Sequence, residues 1–362
     1  MPGFQELLDS QHHLTTYHLY HDGAKHVLIT PEKQSKDTRK ARKARKRNTT
    51  KDAADTTTTA DPQGSFYMHR PFLSFHSAPR TLRHGGAKTG APICIMNDSP
   101  LWGRWNLQFG EVELAQALDP RGVVAWQSRS NTNNSRDKND DTALKGYKVR
   151  SWRLWGESGK AYHREVNAAR KQDKPDLFQS SDKGSSSASC TEDEGETRDA
   201  VRAAYTSSLK WVSPISSRPR WYQLTHDGID LVWKGTRDLR RGQSMRRCLM
   251  PFHHLKLVAR LPPLFVGDCD SEVLLAQYSS SWGSDKHGSL VILDEAVSRI
   301  FDRGRSLSES SGLRGAKRAD HLKRVYELIL TTALCMITGE EQKRAVIVAV
   351  LALLADAAGG GG

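Results

Sequence analysis

Two different spacings of hydrophobic residues run along this chain, and each predicts its own kind of element. The first is short and alternating. Leu14–Tyr20 and His26–Ile29 flank His21-Asp22-Gly23, a turn signal between two strands. Pro92–Met96, Trp102–Phe109, Trp221–Leu224, Ile229–Lys234, Leu255–Ala259, Val273–Tyr278 and Gly288–Leu293 repeat the theme. Phe72–His76, Gly122–Trp126 and Tyr147–Trp155 read the same way, and Glu295–Arg303 reads as a strand or a short helix. Strand-length segments separated by turn chemistry predict an antiparallel sandwich or barrel.

The second spacing occurs once, from Asp320 to Gly339. Leu328–Ile337 carries no charge on any side of a helical wheel. A helix that is apolar all round has to be enclosed. Asp320 has the chemistry of an N-cap and Gly339 that of a C′ residue, which would bound the helix. Its uncharged stretch falls short of the ~20 residues a bilayer core needs. The preceding strands are therefore expected to wrap it. A second apolar run, Ala345–Ala355, follows Glu340–Arg344 and predicts a further C-terminal element over 341–362, ending in a glycine tail. That element is a helix or a membrane-dipping tail, too short to span.

Three stretches break the pattern. Residues 32–64 hold no aromatic or branched aliphatic side chain, 128–143 are polar, and 157–207 contain the Ser-rich acidic run Gln179–Glu196. These predict disordered insertions in one domain over 1–340. The formal charge of +13 implies attraction to polyanions and says nothing about fold. Cys94, Cys190, Cys248, Cys269 and Cys335 show no CxxC spacing, which fits free thiols in a reducing compartment. With no basic-then-apolar leader in the first residues, a cytoplasmic or nuclear location is expected.

The order of elements resembles the tubby-like C-terminal barrel superfamily, which includes tubby, LURP-one-related and phospholipid scramblase proteins, and fungal members in particular. The residues carrying the resemblance are Tyr17–Tyr20, His26–Ile29, Pro71–His76, Tyr222–Leu224, Val232–Thr236, Leu255–Ala259, Leu274–Tyr278 and Lys286–Ile292, followed by the apolar helix. The resemblance implies a closed antiparallel β-barrel of about twelve strands threaded by the C-terminal helix, closure being the arrangement that removes sheet edges. It also implies action at membranes and, for some members, recognition of phosphoinositide headgroups through a basic groove.

Candidate chemistry is sparse. The polybasic run Arg39, Lys40, Arg42, Lys43, Arg45, Lys46 and Arg47 reads as a tether to anionic lipid, a nuclear-localisation signal, or a solvated loop. Arg240, Arg241, Arg246 and Arg247 offer planar guanidinium forks suited to phosphate. Zinc spacing is not met: Cys248 with His253-His254 forms one loose cluster, and Cys269, His12-His13, His18, His21 and His26 supply no second. Neither GxSxG nor a phosphate-cradling glycine loop occurs, and Ser207–Lys210 matches SxxK in a Ser-rich chain. The expectation is a non-enzymatic binding module without a cofactor, meeting anionic phospholipid headgroups at a membrane periphery. A nuclear nucleic-acid-associated protein using residues 36–51, or an interaction barrel without ligand, are the alternatives.

Overall fold

The computed structural model describes residues 13–22, 26–35, 37–38, 64–71, 79–99, 103–118, 124, 141–144, 201–212, 221–235, 254–261, 271–281, 286–303 and 314–359. Twelve strands form the wall: β1 (Leu14–Asp22), β2 (His26–Thr30), β3 (Phe66–His69), β4 (Arg80–His84), β5 (Pro92–Asp98) and β6 (Arg104–Phe109), then β7 (Tyr205–Trp211), β8 (Trp221–His226), β9 (Ile229–Gly235), β10 (His254–Leu261), β11 (Ser271–Ser280) and β12 (Lys286–Leu293). Helix α1 (Glu111–Ala117) follows β6, α2 (Asp294–Arg303) follows β12, and α3 (Arg314–Gly359) closes the described chain. Each strand pairs antiparallel with its successor, and β12 returns to β1 through the register Leu14↔Leu293 to His18↔Ser289. The result is a closed up-and-down barrel with no free sheet end.

Strand alternation decides what fills the interior. In β6, Trp105, Leu107 and Phe109 point inward, and in β10 Leu255, Leu257 and Ala259 do so. Their target is α3, whose residues from Val325 to Glu340 are buried except Tyr326. Leu328, Ile329, Leu330, Leu334 and Ile337 belong to one core with the inward strand residues. Each such side chain stabilises the fold by roughly 1.5–3 kcal/mol on burial. The enclosed helix expected from its uncharged stretch is therefore present.

The topology gives the barrel two rims. α3 enters beside the β8–β9 turn, where His321 meets Asp227, and leaves beside β12, where Glu341 meets His287. At the entry rim lie the ends of β2, β6 and β10 and the starts of β3, β7 and β11. The exit rim carries the β1–β2 turn and the facing ends of β9 and β10. Helix α2 packs Val297, Ile300 and Phe301 into the core, and Tyr326 of α3 donates to its Asp294 at 2.6 Å.

Several expectations are corrected. α3 does not start at Asp320 or stop at Gly339; it runs unbroken from Arg314 to Gly359, so residues 341–359 are not a separate element. Gly339 is small for packing, since a Cβ there would lie 3.3 Å from Trp105 Cζ2. The polar residues 340–344 are good helix formers and carry the helix onward. The described residues reach the expected insertions mainly at their margins. Val201–Ser207 lead into and begin β7, and Ala143 bridges Arg202 while Ala203 donates to Thr142 O at 2.9 Å. Residues 32–35, 37–38 and 64 are also described, and Ser65 beside them is buried. Strand β4 was not expected, because Leu82 is its lone aliphatic residue. Glu295–Arg303 is helical rather than extended. Phe72–His76 and Tyr147–Trp155 lie outside the described residues, as does Gly122–Trp126 apart from Val124, which bridges Leu118.

Candidate functional site

The interface between helix and wall carries more polar chemistry than a purely apolar sleeve would. Trp233 Nε1 donates to Thr332 Oγ1 at 2.9 Å, and Thr332 itself donates to Leu328 O at 2.8 Å. Thr331 and Thr338 return their hydroxyls to Glu327 O and Leu334 O in the same way. A threonine spends its donor on its own helix, leaving a lone pair to accept from the wall. That is how an uncharged helix binds polar partners inside a barrel.

Arg80 uses one of those acceptors near the exit rim. Its Nη1 lies 2.6 Å from Thr338 Oγ1, its guanidinium sits 4.9 Å from the Trp105 ring centroid, and the residue is 2% exposed. Burial lowers its pKa to about 10, so it stays cationic at neutral pH. Among the described residues no carboxylate comes within ion-pair distance, and Asp98 and Glu341 supply negative field from farther away. The exit rim thus holds a desolvated positive charge.

Beyond that rim α3 continues without cover. Val348, Val350, Leu353 and Leu354 are 65%, 48%, 69% and 61% exposed. At about 100° per residue Val350, Leu353 and Leu354 share one arc of about 100°, and Val348 lies on the opposite side of the helix. Ala349, Ala352 and Ala355 between them are exposed as well. Soluble proteins rarely expose contiguous apolar surface of this kind without a partner for it.

The wall has one weak seam. β7 pairs with β8 only at Lys210↔Gln223 and Trp211↔Tyr222, and then the strands part. A cleft of about 550 Å³ opens there, with Arg104, Gln108, Asp141, Ser208, Lys210 and Gln223 among its walls. Asn106 Oδ1 and Ser207 Oγ are buried beside it without a hydrogen-bond partner. Arg104 and Asp141 meet at 3.3 Å but are both well exposed, so the recess is polar and partly self-neutralised.

Arg240, Arg241, Arg246 and Arg247 lie outside the described residues, as does the run Arg39, Lys40, Arg42, Lys43, Arg45, Lys46 and Arg47. Their flanking strands are nevertheless informative. Gly235 and His254, which bracket the arginine-rich connection, stand at the exit rim; Thr30 and Phe66, which bracket the polybasic run, stand at the entry rim. The two basic segments thus start from opposite ends of the barrel. Cys94 and Cys335 are free and fully buried, and burial pushes both thiols up, which disfavours the nucleophilic thiolate.

Sequence reasoning missed Arg80, Thr332 and Thr338, since an arginine in a strand and threonines in a helix look unremarkable one at a time. The uncovered end of α3 was legible as an apolar run. Compared with protein families, curated proteins and solved structures, the chain matches none.

Proposed function

We propose that this protein is a non-enzymatic membrane-peripheral module that meets anionic phospholipid headgroups with its exit rim. The observation that carries the reading is the emergent end of α3, where Val350, Leu353 and Leu354 on one side and Val348 on the opposite side are all exposed. A single apolar face fits the groove of a protein partner. A rod with apolar side chains on opposite sides fits a surrounding apolar phase. The stretch from Ala345 to Gly359 is roughly 20 Å long at 1.5 Å per residue, enough to enter one leaflet of a bilayer core about 30 Å thick. Among the described residues no helix is long and apolar enough to cross a membrane.

Charge supports the same orientation. Lys343 and Arg344 precede the apolar stretch, and the connection bearing Arg240, Arg241, Arg246 and Arg247 joins strands at this rim. Inserting an apolar end next to cations couples hydrophobic burial to attraction by anionic lipid. Membership of the tubby-like superfamily belongs to the same proposal; the closed barrel threaded by a C-terminal helix supports it. The polybasic run, rooted at the other rim, is then free for a separate task such as nuclear targeting. A fluorescent fusion with Lys40, Arg42, Lys43, Arg45, Lys46 and Arg47 changed to alanine tests that: it keeps its membrane signal and loses any nuclear one.

Co-sedimentation tests the main reading. Full-length protein is expected to pellet with vesicles containing phosphatidylserine or phosphoinositide and to stay in solution with phosphatidylcholine alone. Changing Val348, Val350, Leu353 and Leu354 together to serine is expected to abolish pelleting. Equal pelleting with neutral vesicles, or none with any vesicle, contradicts the proposal.

A further inference from the structure

We propose that His226, Asp227 and His321 form a divalent transition-metal site of the zinc type, fastening α3 to the β8–β9 turn at the entry rim. His226 is the last residue of β8, Asp227 begins the turn, and His321 comes from α3, 94 positions beyond Asp227. Asp227 Oδ2 lies 2.5 Å from His321 Nε2 and 3.9 Å from His226 Nε2. All three ligand atoms fall within 4.8 Å of one another. Two imidazole nitrogens and one carboxylate oxygen are a zinc donor set that leaves the fourth position to water. Zinc bonds of about 2.0–2.2 Å place tetrahedral ligands a little over 3 Å apart, so side-chain shifts of about 1 Å would close the site.

An independent observation points the same way. His226 Nε2 is buried without a hydrogen-bond partner, an orphaned atom directed toward the carboxylate that His321 already holds. A buried polar atom left unpaired costs stability, which a metal would remove. The rings of His226 and His321 are nearly parallel, at 9°, and Phe301 of α2 lies 6.0 and 6.2 Å from them, forming an apolar wall. Asp227 is half exposed, which leaves an open side for entry of the ion. It is also the sole non-glycine residue of positive φ, at 49°, among the described residues.

The exit rim holds a second group, His21, His287 and Glu341, whose imidazoles are tilted at 33° with centroids 3.4 Å apart. His287 Nδ1 already meets Glu341 at 3.0 Å and no buried nitrogen of this group is orphaned, so it serves as the control. The test uses tag-free full-length protein stripped with a chelator and titrated with Co²⁺, whose visible d–d bands report tetrahedral ligation. One Co²⁺ per chain is expected, displaced by Zn²⁺, together with a higher melting temperature in zinc. His226→Ala and His321→Ala are each expected to lose the bands and the thermal shift, and His287→Ala to retain both. Asp227→Asn keeps both imidazoles and the turn, and is expected to weaken Co²⁺ binding should either alanine variant fail to fold. Absence of the bands in wild-type protein, or their persistence in the His226→Ala/His321→Ala double variant or at full strength in Asp227→Asn, overturns the proposal.

Discussion

Trp233 Nε1 and Thr332 Oγ1 meet at 2.9 Å, so the barrel wall hydrogen-bonds directly to the helix it encloses. Both residues are almost fully buried. Thr332→Val keeps the shape but leaves an indole N–H with no acceptor, a loss of roughly 1–3 kcal/mol. Urea denaturation measures it. Pairing the change with Trp233→Phe in a double-mutant cycle is expected to cost less than the sum of the two single variants, because the orphaned donor is gone. Strict additivity would mean the two side chains do not interact.

Gly339 packs against the ring of Trp105 in the wall. In an exposed helix interior Gly→Ala gains up to about 1 kcal/mol. Here the new Cβ would meet Trp105 Cζ2 at 3.3 Å, so Gly339→Ala is expected to forfeit that gain. Gly339→Leu is expected to cost roughly 1–3 kcal/mol through overpacking. A leucine variant as stable as the parent in chemical denaturation would refute the close contact.

Acid should weaken the fold before carboxylates titrate. Burial is the first cause holding His18, His84 and His226 below their ordinary 6.5; Lys286 and Lys323 add to it at the first two, while Asp227 works against it at His226. The unfolded chain takes up protons near 6.5 while these folded imidazoles resist until lower pH. Stability is therefore full above 6.5 and falls as pH drops from there through the folded values. Glu327 works in the opposite sense: burial raises it above 4.5, so protonating it relieves the folded state as pH falls. The urea midpoint is expected to be lower at about pH 5.5 than at about pH 7.5, with His226→Gln narrowing the gap and Glu327→Gln widening it. A midpoint indifferent to pH over that window would contradict the assignment.

What could be read from the sequence followed from which features are local. An uncharged helix must be enclosed wherever it lies, so Leu328–Ile337 disclosed both the helix and the sleeve. Its ends were misread because Asp320 and Gly339 carry capping chemistry, whereas tertiary contact with Trp105 decides why residue 339 is small. Strands β4 and β7 were invisible for a related reason: one face needs apolar residues, and Leu82 or Leu209 with flanking aromatics meets that need inside polar text. The grouping of His321 with His226 was beyond reach, since only the threading of α3 through the barrel joins them.

Opposite placement of the two basic segments makes a charge prediction. Alanine at Arg240, Arg241, Arg246 and Arg247 is expected to weaken anionic-vesicle binding by about 1 kcal/mol per residue near the surface, less at high salt. Alanine through the Arg39–Arg47 run, rooted at the far rim, is expected to change it little. Vesicle titrations at two salt concentrations distinguish the segments, and a larger loss from the second set would reverse the proposed orientation.

The central claim is that α3 ends as an apolar rod which buries itself in lipid. A nitroxide attached at Leu354→Cys, with native reactive cysteines replaced by serine, reports this by electron paramagnetic resonance. In solution the label is expected to be open to a water-soluble relaxing agent, in line with the 61% exposure of Leu354. On phosphatidylserine vesicles it is expected to become shielded from that agent and accessible to dissolved oxygen. A label that stays in water while the protein is vesicle-bound would contradict the account.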